Sequence, residues 1–328
     1  MELVEWVFPK RLSEALEALR QDGSSVVAGG TTLLDLLKLA HPAPRRLVDI
    51  TRLELDRISV EGDVLSIGAL VSNAAAAESG IVRRDCPAVS EAILQGASGQ
   101  IRNAASIGGN LLQATRCVYF RTPDWRCNMR VPGAGCEAMS APEPSHAVLG
   151  CSDSCIAVNP SDMAVAMLAL DAVVIAATAG GGPVRIPIAD FYPLPGSTPH
   201  VTHRLPPGAL ITAVELPRST LARHSGYLKL RGRASYEFAT ASVAAALRLE
   251  EGRVEQVAVA IGGLATRPWR RVDAESELVG RRLDPQAIDG FCDRLLEGAD
   301  PRPVTRHKIP LARGAVHRML TRLAEAHA

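Results

Sequence analysis

The chain has 328 residues, 47% of them hydrophobic and 22% charged, with a formal net charge of +1. That length exceeds one ordinary domain and implies two or three, each with enough apolar residues for a core of its own. A nearly balanced charge argues against a general nucleic-acid or membrane-surface binder.

The opening segment, MELVEWVFPKRLSEALEALR, carries Glu2 and Glu5 and lacks both a basic start and an apolar run. It predicts no signal peptide. No stretch approaches ~18 uninterrupted apolar residues, so no membrane span is expected. The expectation is therefore a chain made in the cytoplasm, in which structural disulfides are disfavoured.

Leu12, Ala15, Leu16 and Leu19 share one face and predict a short helix over 11–20. Residues 24–40 read as strand, glycine turn and helix. RLVDI (46–50) and VLSIGAL (64–70) read as strands, and 88–98 as a helix. Past an irregular Pro- and Gly-rich stretch, Pro160 and Ser161 open a further helix, followed by strands at 173–178 and 208–217. A domain boundary is expected near 219–224 and a weaker one near 53–60. Two or three strands joined by EEGR follow, then helices near 285–298 and 311–327, the second burying Val316, Met319, Leu320 and Leu323. No internal repeat is evident.

The irregular stretch, 117–155, holds five of the seven cysteines. Such crowding in a reducing compartment points to metal. Cys117, Cys127, Cys136 and Cys155 are separated by nine, eight and eighteen residues, and Cys151 lies just before the last. The spacing matches neither zinc-finger pairs nor ferredoxin runs, and leaves zinc and an iron–sulfur cluster about equally open. Of the two neighbours, Cys155 adjoins the ordered IAVNPSD segment and is preferred as a ligand over Cys151, which follows Gly150. Cys86 and Cys292 stand alone and read as ordinary thiols.

Two glycine motifs accompany the cysteines. AGGTTL (28–33) follows a strand and opens a helix, so its backbone can approach a ligand and its N–H groups can hold a phosphate. SIGGN (106–110) repeats that chemistry, and two such loops could clamp a pyrophosphate. There is no G-x-G-x-x-G after the first strand, no Walker A motif and no G-x-S-x-G. The eight His show no pair at metal-ligand spacing.

Together AGGTTL, SIGGNLLQATRC, CNMRVPGAGC, NPSD and RASYEFATASVAA resemble the FAD-binding medium subunits of the xanthine dehydrogenase and carbon monoxide dehydrogenase (molybdenum hydroxylase) family, in particular the FAD/iron–sulfur subunits of bacterial periplasmic aldehyde oxidoreductase. The resemblance covers nearly the whole chain. It implies an α+β fold: a two-subdomain FAD-binding module of the vanillyl-alcohol-oxidase (PCMH) type and a small α/β flavoprotein C-terminal domain. The implied divisions are 1–55, 56–220 with the cysteine loop 117–155, and 223–328.

The resemblance also implies sites. Val27, Ala28, Gly29, Gly30, Thr31, Thr32 and Leu33 match the first FAD loop; Ser106, Gly108, Gly109 and Asn110 match the second. Thr115 and Asp162 match further FAD contacts, with helix capping as a second role open to Asp162. Lys229, one of only four lysines among 36 basic residues, matches a lysine beside the isoalloxazine, where a positive charge would stabilise reduced flavin. Cys117, Cys127, Cys136 and Cys155 match the ligands of a [4Fe–4S] cluster. Thr32 stands where many relatives have Asp or Asn, but still supplies a hydroxyl.

The implied function is electron transfer with no catalytic residue for the organic substrate in this chain. A large partner would carry the molybdenum cofactor and oxidise an aldehyde; a small partner would carry two [2Fe–2S] clusters. Electrons would pass to FAD here and on to an external acceptor. A 4-hydroxybenzoyl-CoA-reductase-like subunit, with electrons running the other way, is the alternative within the family. A zinc-stabilised scaffold without flavin is the alternative of another class. A stand-alone flavin oxidase is disfavoured, since no His or Tyr suggests covalent flavin attachment. Location is expected to be cytoplasmic, or periplasmic by co-export with a signal-bearing partner.

Overall fold

Short runs rich in Val, Ile, Leu and Ala build three sheets in the computed structural model, which describes residues 4–39, 44–140 and 142–326. The first is parallel, in the order Glu5–Val7, Arg46–Asp49, Ser24–Val27. The helix Leu12–Leu19 covers it, placing Ala15 and Leu16 against Val48 and Ile50. The second sheet is antiparallel, in the order Ile58–Glu61, Val64–Gly68, Leu210–Pro217, Val173–Ala177, Val184–Pro187. Val64–Gly68 pairs directly with Leu210–Pro217. Residues 69–172, including the whole cysteine segment, are therefore one long excursion from the sheet.

The third sheet is also antiparallel, in the order Trp269–Arg270, Arg253–Gly262, Ala241–Glu250, Ser225–Leu230. Its central strands are buried on both faces, and the alternation of side chains sorts two cores. Ala244, Ala246, Ala258 and Ala260 face the helices Pro87–Gln95 and Asp162–Ala169, which lie between the second and third sheets. Val243, Leu247, Val259 and Ile261 face the helices Pro285–Leu295 and Lys308–Glu325. Alanines on the first face let the two helices approach closely; the larger residues fill the wider gap on the other.

The strands and helices expected near 11–20, 46–50, 64–70, 88–98, 160–178 and 208–217 occur, each trimmed by a few residues. The last helix starts at Lys308, earlier than expected, because Pro310 sits in the first turn, where a missing N–H costs no helical bond. Ala40 and His327, at the ends of two expected helices, lie outside the described residues. The helices Asn73–Glu78, Gly80–Asp85 and Gly99–Ala104 were not foreseen. Each is under two turns, too short for its apolar period to repeat.

Asp85 ties the second sheet to the segment leading into the third. Its carboxylate is fully buried at the end of Gly80–Asp85 and meets Arg84, Arg218 and Arg223 at 2.9, 2.7 and 3.3 Å. The hydrogen bond from Arg84, with that from Arg218, holds the carboxyl at about 2, below its usual range, against the opposing effect of burial. The unfolded chain therefore binds a proton that the folded chain rejects as pH falls from about 4 to about 2. Asp85→Asn is expected to cost about 2 kcal/mol at neutral pH. In thermal melts of the two proteins across pH 2–7, the gap should be full above about pH 4 and shrink towards pH 2.

Candidate functional site

A cleft opens where loops from all three sheets converge. Thr31 and Thr32 enter from the first sheet, Gly109 and Asn110 from the excursion, Asp162 from the start of its helix and Lys229 from the third sheet. The two glycine motifs thus lie on one cleft, as their chemistry suggested.

The glycines do different work within it. A side chain on Gly29 would place its Cβ 1.7 Å from the carbonyl oxygen of Ala104, so this residue lets two backbones meet. Gly30 adopts the left-handed region, with φ of +70°, and turns the chain towards Thr31. Val27 is buried in its strand. Ala28, Leu33 and Gly108 shape the wall from behind rather than lining it. The Ser106 hydroxyl accepts the Gly109 N–H at 3.2 Å, capping Ile107–Leu111, so it fixes the second loop from within. Asn110 Oδ1 accepts from Ser161 at 2.8 Å, joining that loop to the start of Asp162–Ala169.

Lys229 and Asp162 form the buried end of the cleft. Lys229 Nζ donates to Asp162 Oδ2 at 2.7 Å and to the Gln95 carbonyl at 3.3 Å. The Tyr227 hydroxyl donates to Asp162 Oδ1 at 2.5 Å. Burial pushes the Asp162 carboxyl up, and Lys229 and Tyr227 oppose that rise. Tyr227 is itself pushed well above its usual value, chiefly by burial. Lys229 presents one half of an ion pair, so any group above it meets a dipole. Asp162 opens its helix, but the capping hydroxyl belongs to Ser161, which accepts from Ala164 N–H at 3.0 Å.

Several wall residues escaped the sequence reading. Asn73 Oδ1 and Arg116 Nε are buried without a hydrogen-bond partner among the described residues, and both side chains line the cleft. An unmet acceptor and an unmet cationic donor are costly unless a ligand supplies partners. Arg116 also lies 5.0 Å from the Phe238 ring, over which the cleft closes. Both sit inside motifs already quoted, QATRC and SYEF. Only the fold turns them towards one space.

Side-chain hydrogen bonds hold the cysteine segment together. Arg130 is its hub: its guanidinium donates to the carbonyls of Tyr119, Phe120, Thr122 and Pro123 at 2.7–3.0 Å, and to that of Trp125. Asn128 accepts the Gly135 N–H at 2.8 Å and donates to the Ser154 carbonyl at 3.0 Å. Gly135 has φ of +96°, a conformation few other residues adopt.

This framework brings Cys117, Cys127, Cys136 and Cys155 to the wall of one small cavity, from which Cys151 is absent. Burial pushes the Cys117 thiol up to about 11 and Cys155 to about 12, with neighbouring thiols adding to the rise. Cys151, raised to about 11 by burial, feels Arg302 and Asp300 instead of those thiols. Among the described residues no three Cys, His, Asp or Glu are gathered tightly enough to hold one metal ion. His146, unremarked in the sequence, is buried with Nε2 3.4 Å from Cys117 Sγ. Thr115 holds this end of the loop, donating to the Val158 carbonyl at 3.0 Å and accepting the Cys117 N–H at 3.3 Å.

A second cavity adjoins the cleft and shares Arg116, Pro160, Asp162, Glu237 and Phe238 with it. Its wall includes Thr115, His146 and Cys117. Cys117 also lines the cysteine cavity, so this residue borders both that cavity and the one beside the cleft.

Residues 2–219 match the FAD binding domain in molybdopterin dehydrogenase, and 226–326 match the CO dehydrogenase flavoprotein C-terminal domain. The chain is 46% identical over 316 residues to the aldehyde oxidoreductase FAD-binding subunit PaoB of Escherichia coli, covering 96% of this chain and 95% of that one. It is 26% identical to the glyceraldehyde dehydrogenase medium chain of Sulfolobus acidocaldarius, over 90% and 88% of the two chains. Its fold matches a chain of quinoline 2-oxidoreductase from Pseudomonas putida with a TM-score of 0.76 at 23% identity, over 99% and 98% of the two chains.

Removing Lys229 would leave Asp162 buried without its cation. Lys229→Met is expected to cost about 3–5 kcal/mol, with much of the loss recovered when Asp162→Asn is added. The single variant's deficit should grow as pH rises, because a carboxyl held above its unfolded value favours the folded state only while protonated. Thermal melts of the three variants at pH 5 and pH 8 measure both effects.

Proposed function

Because the chain belongs to the FAD-binding medium subunits of the CO dehydrogenase/xanthine oxidase family, we propose that it is the electron-transfer subunit of a molybdenum-dependent aldehyde oxidoreductase. In this reading FAD occupies the cleft and the cysteine loop holds a [4Fe–4S] cluster. Residues 1–55 and 56–220 act as the two subdomains of a vanillyl-alcohol-oxidase-type module, and 223–328 as the flavoprotein C-terminal domain.

The observation that carries the relay is the position of Cys117. It lines the cysteine cavity and also the second cavity, which shares five wall residues with the cleft that both glycine loops line.

The residues of the cleft suit a dinucleotide with a charged middle. Thr31, Thr32, Gly109 and Asn110 would hold the pyrophosphate with Arg116 as counter-charge, since two facing loops of small and hydroxyl residues can bring their N–H groups to it. Asn73 Oδ1 and Arg116 Nε would gain the partners they lack among the described residues. Asp162 and Lys229 would lie against the isoalloxazine, offering a fixed dipole that needs no reorganisation. The rest of the two FAD loops, from Val27 to Leu33 and from Ser106 to Gly109, keeps this geometry by backbone packing. Bound FAD supplies the ability to accept single electrons and store two.

In the loop, Cys117, Cys127, Cys136 and Cys155 would be the four ligands. Arg130 and Asn128 hold the chain between them, so the thiols are pre-positioned. A bound cluster supplies one-electron storage beside the flavin. The organic substrate would be oxidised in a large partner subunit carrying the molybdenum cofactor, with two [2Fe–2S] clusters in a small partner, and electrons would leave this chain for an external acceptor.

An anaerobic visible spectrum of the purified complex, with iron and zinc analysis, tests this. Flavin absorbance with a broad iron–sulfur shoulder is expected, with loss of about four iron in Cys136→Ser. Cys151→Ser is expected to keep that iron. Zinc in the loop and no iron lost on substitution would keep the FAD assignment and overturn the cluster. A folded complex without flavin would overturn the function as a whole.

A further inference from the structure

Arg302 reaches the cysteine loop from the C-terminal part of the chain, just before the short turn Pro303–Thr305. Its Nη2 lies 3.2 Å from Met139 Sδ, in the turn Glu137–Ser140 that follows Cys136. Its Nη1 is buried and has no hydrogen-bond partner among the described residues. Nor does any described carboxylate form an ion pair with it. The Met139 contact sets the guanidinium against the turn that leaves Cys136.

A guanidinium N–H buried without an acceptor is costly, and the group cannot escape the cost by losing its proton. It persists where something negative is held nearby. Cys136, directly before that turn, is one of the four thiols of the common cavity. Four thiolates round an iron–sulfur core give that loop net negative charge, and one more electron makes it more negative.

We propose that Arg302 is a positioning and tuning residue for the group held by the cysteine loop: it stabilises the reduced state and fastens the loop to the C-terminal domain. The proposal rests on the reading of the loop as a [4Fe–4S] site. Reduction takes one electron from a reductant and adds one negative charge to the loop, with no bond made or broken. Charge removal near a buried redox group should disfavour the reduced form about tenfold, or ~59 mV for one electron.

The experiment is a redox titration of the whole complex with dithionite, followed by electron paramagnetic resonance, with iron analysis of each sample. Wild type, Arg302→Met, Arg302→Lys and Cys136→Ser are compared, the last giving the baseline from iron centres elsewhere. In Arg302→Met the loop signal is expected to keep its iron and show a reduced-to-oxidised ratio about tenfold lower at the wild-type midpoint. Arg302→Lys, which keeps the charge but not the fork, should fall between the two. If Arg302→Met retains its iron and titrates with wild type, the inference fails and the cluster reading stands. If Arg302→Met loses iron, Arg302→Lys decides: a lowered ratio supports tuning, and loss of iron there too overturns it. If wild type and Cys136→Ser carry equal iron, the cluster reading itself fails and takes this inference with it.

Discussion

The contact between Asp162 and Lys229 is the constraint on which the cleft depends. It joins the helix Asp162–Ala169 of the excursion to the strand Ser225–Leu230 of the third sheet, 2.7 Å from atom to atom and out of solvent. Tyr227 adds a second hydrogen bond from the same strand, two residues back and therefore on the same face. Gln95 closes the set from the end of Pro87–Gln95, its carbonyl accepting from both Lys229 and Arg231. Asp162, Lys229, Tyr227, Arg231 and the Gln95 carbonyl are thus bonded to one another. Buried charge tolerates little displacement, so the network fixes where the third sheet stands relative to the helices. The walls of the cleft, which come from both sides of that junction, inherit their positions from it.

Alanine makes such a junction possible. Ala244, Ala246, Ala258 and Ala260 present a low surface to the two helices, which bring Gln95 and Asp162 close to the sheet. Gly226 serves the same end on the neighbouring strand, where any side chain would meet Arg322 and Met319. The last helix then reaches Glu91 through Arg322, at 3.0 Å, while Glu91 also accepts the Tyr227 N–H at 2.7 Å. Small residues and paired charges together fasten one half of the protein to the other.

The cysteine loop depends on a different device. It has almost no sheet or helix to satisfy its backbone, and Arg130 and Asn128 take that role with side-chain hydrogen bonds to its carbonyls and amides. The loop's own small core of Phe120, Ala138, Ile156 and the buried thiols would be slight without this bracing. An excursion between two strands that flank Leu210–Pro217 in one sheet can carry such an insertion because its ends are already held by the sheet.

Much was legible in the residues themselves. The long strands, the amphipathic helices and the paired glycine loops could all be read from local pattern, because periodicity and turn chemistry are local properties. The whole-chain resemblance supplied the family. What the sequence could not decide is where side chains from distant segments meet. Nothing local marks Asn73, Arg116, His146 or Arg302, since their neighbours come from more than one element. That Lys229 is an ion-paired residue and Gly29 a point of backbone contact follows only from the packing of sheet on helix, which brings Asp162 and Ala104 to them. Elements are set by spacing along the chain; sites are set by distance through space, and only the tertiary structure determines that distance.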